Sequence, residues 1–253
     1  MKLCFIPDTQ VKPGVNTDHL EAAGKYIAAK KPDIIVHAGD HADMPSLSTY
    51  EKPGSKYFQG KSYRKDIDSA IEGMNRLVGP IFEAMEEDPN WNPRMVMTLG
   101  NHEYRITRAI HLDPVKFEGL ISIDDLGYEE GGWELYGYQE IVEIEGVMFC
   151  HNFSNPNSLI GGVVGGTINT KLNNLGTSFA MGHQQARQFG TKKVPLRGEI
   201  MGLVAGRFYS HDEDYLGPQG QDDWSGIIMM HNLKDGKYDP CFIGMDYLLE
   251  KWL

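Results

Sequence analysis

Paired cysteines, long apolar runs and an excess of basic charge are all missing from this sequence. Its three cysteines, Cys4, Cys150 and Cys241, are odd in number and widely spaced, with no C-x-x-C. That excludes a disulfide framework and a zinc ribbon, and each cysteine sits in an apolar run, where it serves as a small core residue. No stretch of about 18 apolar residues occurs, so no membrane-spanning helix and no membrane partner are expected. Met1 to Pro7 lacks the length and the cleavage site of a secretory signal, which makes the cytoplasm the expected compartment. Internal repeats and low-complexity tracts are absent too. With 24 Lys and Arg against 35 Asp and Glu, the formal charge of -11 argues against a broad basic surface for nucleic acid, but not against a local basic patch. What is present is ordinary: 253 residues, 41% hydrophobic and 23% charged, a size and composition for one α/β domain over 1–253.

The hydrophobic pattern places the elements. Lys2 to Pro7 reads as a buried strand. Asp18 caps a helix to about Lys30, and Asp33 to Ala38 is a second strand, so the first two strands run parallel through a crossover. Residues 44–62 are polar and turn-rich, with Pro45, Pro53, Gly54 and Gly60, and read as a surface excursion that extends to about 65. A long helix follows from Tyr63 to Glu87, its stripe of Ile67, Ala70, Met74, Leu77 and Ile81 facing a core, with a kink predicted at Gly79-Pro80. Arg94 to Leu99 is a third strand. Tyr138 to Ile144 and Val147 to Cys150 form a hairpin. Ser178 to Met181, Ile200 to Ala205, Gly226 to His231 and Pro240 to Met245 are further strands.

Asp, Asn or His follows the end of an apolar strand five times: Asp8, Asp40, Asn101, His151 and His183. Side chains at the carboxyl ends of neighbouring strands in α/β sheets meet in one crevice. Five oxygen and nitrogen donors in one crevice describe a metal centre. A carboxylate with two oxygens suits a position between two ions, and two ions about 4 Å apart share a hydroxide that attacks phosphorus in line. A departing alkoxide needs a proton, which histidine supplies near neutral pH.

The order Asp8-x-Gln10, Gly39-Asp40-x-x-Asp43, Gly100-Asn101-His102-Glu103, His151 and Gly182-His183-x-Gln185 resembles the calcineurin-like metallophosphoesterases, including members from phage and prophage genomes. The resemblance runs from residue 3 to about 187. It implies a four-layer αββα sandwich, two mixed β-sheets flanked by helices, and a metal-dependent phosphoester hydrolase. It implies that Asp40 bridges two divalent ions, that Asp8 binds the first, and that Asn101, His151 and His183 complete the second. His102 would face the substrate as general acid, with Asp43 or Glu103 supporting its orientation.

The sequence departs from the family where D-x-H and G-H-x-H become D-x-Q and G-H-x-Q. Gln10 and Gln185 fall at the same metal and offer amide oxygen in place of imidazole nitrogen. Oxygen ligation moves preference toward hard ions, so Mn²⁺ is the expected cofactor, with Mg²⁺, Ni²⁺ or Zn²⁺ as alternatives. A weak or empty first site, and with it a one-metal enzyme or a non-catalytic scaffold, is the competing expectation.

Several residues stand outside the motifs. His41 is a candidate for substrate contact or for a supporting place behind the ligands. Arg105 is a candidate phosphate ligand, as is Arg108 to a lesser degree; a salt bridge to a neighbouring acid is the plain alternative. Lys52, Lys56, Lys61, Arg64 and Lys65, with Tyr57, Phe58 and Tyr63 among them and no acid between 52 and 65, suit either a solvated loop or a single-stranded nucleic acid groove. The expectation is a phosphodiesterase on nucleic acid or nucleotides, the runner-up a phosphomonoesterase or diphosphatase on a small molecule or phosphoprotein.

Overall fold

The structure is a computed structural model, describing residues 1–52, 54–159, 161–196, 198–211 and 223–253. Pro53, one of the turn residues expected in the excursion, lies outside them. The strands in chain order are β1 (Leu3–Ile6), β2 (Ile34–His37), β3 (Arg94–Thr98), β4 (Glu134–Tyr136), β5 (Val142–Ile144), β6 (Val147–Cys150), β7 (Ser178–Met181), β8 (Gln188–Val194), β9 (Gly198–Val204), β10 (Gly226–Lys234) and β11 (Lys237–Gly244). The helices are α1 (Asp18–Lys30), α2 (Tyr63–Glu87), α3 (Tyr104–Leu112), α4 (Pro114–Phe117), α5 (Ile168–Leu175) and α6 (Met245–Trp252).

These strands make two mixed sheets, ordered β11-β10-β1-β2-β3-β4 and β5-β6-β7-β9-β8. β1 to β4 are mutually parallel, as are β6, β7 and β9, and the antiparallel strands lie toward the edges. The period-2 alternation of each strand explains the layering. Leu3 and Phe5 of β1, Val36 of β2 and Val96 of β3 meet Phe149, Ala180 and Leu203 of the second sheet in a shared core. The intervening Cys4, Ile6, Ile35, Met95 and Met97 turn the other way and pack with Leu20, Ile27, Leu77 and Ile81 of α1 and α2. On the outer face of the second sheet, Phe179, Met181 and Val204 pack against Leu172 of α5. Helices, sheet, sheet, helix: the four layers implied by the motifs are present.

α2 runs unbroken through Pro80, although proline cannot donate to the carbonyl one turn back. It is held against α1 by close packing. A Cβ on Gly24 would lie 2.3 Å from the Leu77 carbonyl oxygen, so the two backbones touch. Arg76 adds a polar clamp, its guanidinium donating to Thr17, Asp18 and Glu21. Asp18 is not the cap expected of it: Thr17 holds that position, and the Asp18 carboxylate is taken by Asn16 and Arg76.

The excursion contains two short 3-10 turns, Pro45–Leu47 and Lys56–Phe58, and ends at Ser62, whose hydroxyl accepts from Lys65 N to cap α2. The amide of Ser46 donates to the Asp66 carboxylate at 2.9 Å, tying the root of the excursion to the first turn of α2. No helix among the described residues is long and apolar enough to cross a membrane.

Candidate active site

The parallel strands deliver the functional side chains to one edge. Asp8 follows β1, Asp40 follows β2, Asn101 and His102 follow β3, and His151 and His183 follow β6 and β7, so both sheets contribute. The chain turns sharply at these points. Gln10, Asp40 and His183 adopt positive φ values of 41°, 49° and 65°, a left-handed conformation that costs a non-glycine residue about 1–3 kcal/mol. Such strain persists where the surroundings fix it. At Gly100 they do so through contact: a Cβ there would fall 2.1 Å from Asp40 Oδ1.

Ligand atoms of Asp40, His151 and His183 lie within 4.8 Å of one another. Asn101 Oδ1 sits among them, 3.0 Å from His151 Nε2 and 2.8 Å from His183 Nδ1. His151 Nδ1 lies 2.8 Å from the Ala38 carbonyl oxygen, so that nitrogen donates and Nε2 turns its lone pair to the crevice, the tautomer a metal ligand requires. Asp8, fully buried, accepts from the His183 amide at 3.0 Å and faces Gln185 Nε2 at 3.4 Å. Tyr209 donates to Gln185 Oε1 at 3.1 Å. Rotating that amide by half a turn would present its oxygen to the crevice with the tyrosine still hydrogen-bonded.

The electrostatics favour added positive charge. Burial, with Asp40 nearby, pushes Asp8 up to about 7, the opposing pull of His151 notwithstanding. Burial works against a protonated His151, yet Asp40 and Asp8 hold its pKa up at about 9. Burial and the neighbouring His151 press His183 down to about 4, which leaves it neutral and ready to ligate. Carboxylates crowded in a buried crevice with neutral imidazole and amide oxygen fit a divalent cation.

His102 stands beside this cluster. Its Nδ1 lies 2.7 Å from Asp43 Oδ1, and its Nε2 lies 3.8 Å from Asp40 Oδ2. Burial opposes its protonation, but Asp40 and Asp43 outweigh it and raise the pKa above the ordinary 6.5. Arg105, also buried, donates through Nη1 to the Asp43 carbonyl oxygen at 2.7 Å and brings Nη2 to 3.3 Å from His102 Nε2. Lys12 pairs with the other Asp43 oxygen at 3.6 Å. Asp43 is thus the carboxylate on His102, and Glu103 is not. The Glu103 carboxylate is consumed by four backbone amides, those of Asp40, His41, Ala42 and Gly100, at 2.7–2.9 Å. It binds the ends of β2 and β3 together.

His41 takes the supporting place and not the substrate contact. It is wholly buried, with Nδ1 2.7 Å from the Thr9 hydroxyl and Nε2 2.9 Å from the Ala70 carbonyl oxygen. Both nitrogens point inward because the left-handed turn at Asp40 sends successive side chains to opposite sides, so His41 offers a substrate nothing. His37 joins the same buried chain through Thr9, at 3.3 Å. Thr9, Lys12 and Tyr209 carry no motif, and only their tertiary contacts reveal them.

A cavity of about 970 Å³ opens over the cluster. Gln10, Asp40, Asn101, His183 and Gln185 form its floor with His102, Asp43 and Arg105, while Asp8 and His151 lie behind. The excursion roofs it through Tyr50, Tyr57 and Lys61. Arg108 does not line it.

A family model described as calcineurin-like phosphoesterase matches residues 1–225. Gene 54 protein of Mycobacterium phage D29 is 29% identical over 135 residues, covering 50% of this chain and 49% of that protein, so the chain spans about half the length of this curated relative. Among solved structures, the E. coli phosphoesterase Yfce aligns over 97% of this chain and 100% of its own, at 13% identity and a TM-score of 0.39.

Proposed function

The chain belongs to the calcineurin-like phosphoesterase family, and on that premise we propose that it is a metal-dependent phosphoester hydrolase, a phosphodiesterase acting on nucleic acid or nucleotides, with two divalent ions, Mn²⁺ foremost, and His102 as general acid. The observation that carries the reading is the placement of His102: beside the ligand cluster, gripped through Nδ1 by Asp43, with Nε2 3.8 Å from Asp40 Oδ2 and the residue lining the cavity.

When bound, the ions supply Lewis-acid activation of water and charge neutralisation at phosphorus. Asp40 would bridge them; Asp8, Gln10 and Gln185 would hold one, and Asn101, His151 and His183 the other. The remaining work falls to the chain. Asp43 fixes the His102 proton on Nδ1 and favours the imidazolium, so a second proton on Nε2 is available to the departing oxygen. Once that proton has left, Arg105 Nη2 can donate to Nε2 and stabilise the neutral ring, and the same guanidinium lies within reach of a phosphoryl oxygen on the cavity floor. The basic, aromatic roof supports a phosphodiester bearing a large organic group.

The enclosure of the cavity also favours a small substrate, which keeps diphosphatase action on a nucleotide as the second reading. The deciding experiment strips the protein of metal and restores Mn²⁺, Mg²⁺, Zn²⁺ or Ni²⁺ singly, with bound ions counted and bis-p-nitrophenyl phosphate, p-nitrophenyl phosphate, ADP-ribose and single-stranded DNA as substrates. Diesterase activity with Mn²⁺ at two ions per chain is expected. Preference for the monoester with DNA untouched would overturn the diesterase reading. One ion per chain without activity under any metal would return the scaffold.

A further inference from the structure

The cavity is much larger than a phosphate needs, and its walls differ in kind. At about 970 Å³ it reaches the upper end of the ~300–1,000 Å³ range of small-molecule pockets. Its floor is the ligand cluster, and the excursion lines the other side with Tyr50, Glu51, Tyr57 and Lys61, where residues 52–65 carry five cations and no acid in a chain of charge -11.

The two roof tyrosines are used differently. Tyr57 is already engaged: the Lys61 ammonium sits 3.0 Å above its ring centroid, and Phe58 meets it edge-on at 5.1 Å. That contact parks a cation in the cavity wall. Tyr50 lines the same cavity with 83% of its surface open. A large open ring and an ammonium fixed on a second ring, both lining the cavity over the ligand cluster, match the two faces of a nucleotide: a flat heterocycle and a negative charge.

We infer that the outer half of the cavity is a nucleobase subsite, with Tyr50 as the stacking face and Lys61, held on Tyr57, as the cation for the adjoining phosphate. The inference rests on the reading that the centre acts on nucleotide phosphoesters and names the residue that selects them. It makes Tyr50 a specificity-determining residue with no part in bond cleavage.

The test is a binding measurement, so it does not depend on turnover. Mn²⁺-supplemented protein is titrated by calorimetry with adenosine 5′-monophosphate and with ribose 5-phosphate, which carries the same phosphate and sugar without the base. The nucleotide should bind roughly ten-fold more tightly, in keeping with the worth of one stacked base. Tyr50→Ala should erase that preference while leaving ribose 5-phosphate affinity unchanged, and Tyr50→Phe should keep it. Equal affinity of wild type for both compounds, binding of neither, or a preference that survives Tyr50→Ala would overturn the subsite. A preserved base preference in a protein that hydrolyses bis-p-nitrophenyl phosphate with no metal would instead sink the catalytic reading and leave the nucleotide site standing.

Discussion

His102 is held on both sides, by the Asp43 carboxylate at Nδ1 and by the Arg105 guanidinium near Nε2. An acid held this way is defined by orientation as much as by pKa. Replacing it with alanine should lower turnover by roughly 10²- to 10⁴-fold, the usual worth of general acid catalysis, while bound metal, counted by elemental analysis, stays at the wild-type level. Loss of metal in His102→Ala would make the residue a ligand. Asp43→Asn should weaken turnover in the same direction by loosening Nδ1. The two glutamines are a second residue-scale matter. Gln10→His together with Gln185→His exchanges two amide oxygens for imidazole nitrogens at one ion, so competition between Zn²⁺ and Mn²⁺ should swing toward Zn²⁺; an unchanged preference would show that neither glutamine ligates. Tyr209 modulates this test, since its hydroxyl holds the Gln185 amide and a histidine would lose that bond.

At the scale of elements, the contact between α1 and α2 is a close joint behind the site. Gly24→Ala places a methyl against the Leu77 carbonyl oxygen, and backbone cannot swing aside as a side chain can. The helices must part, at a cost of about 1–3 kcal/mol, read as a lower urea midpoint with metal-free protein. The elements also show what was legible in the sequence. β1, β2, β3 and β7 were readable because both faces are buried and the residues form unbroken apolar runs. β8, Gln-Phe-Gly-Thr-Lys-Lys-Val, was not: it is an edge strand with half-exposed and exposed residues alternating, and its lysines belong there to discourage further pairing. The short β4 carries Glu134, and α6 has one fully buried residue, Leu248; neither pattern is strong enough to be seen without the sheet it packs on. The clustered Asp40, Asn101, His151 and His183 were legible because each follows a strand at once. For His41 and Glu103 the sequence left two places open, because they stand inside motifs whose other members face the cavity, and the structure puts both in the supporting layer behind it.

Across the whole molecule, the site is where two sheets share one end, and the histidines around it fall into two groups. His151 lies among carboxylates, which raise its pKa to about 9 when no ion is bound. His19 and His41 are buried away from them, and desolvation lowers each from 6.5 to about 4. Such a histidine is neutral in both folded and unfolded chains above pH 6.5 and costs nothing there. As pH falls below 6.5 the unfolded chain gains a proton that the folded one refuses, so stability declines until about pH 4 and then levels off. For His19 the full loss is about 3 kcal/mol. Urea titrations at pH 7 and pH 5 should show His19→Gln losing less stability than wild type between the two; identical slopes would place the acid sensitivity elsewhere. The Glu103 carboxylate, gathering the amides of Asp40, His41, Ala42 and Gly100, has a consequence in time rather than energy. Those four amide hydrogens should be among the last to exchange with deuterated solvent even before any ion arrives. On the proposed reading Asp40 would meet the ions already in position, and metal uptake should then follow how fast each ion sheds its own hydration water, with no rearrangement of the protein to wait for.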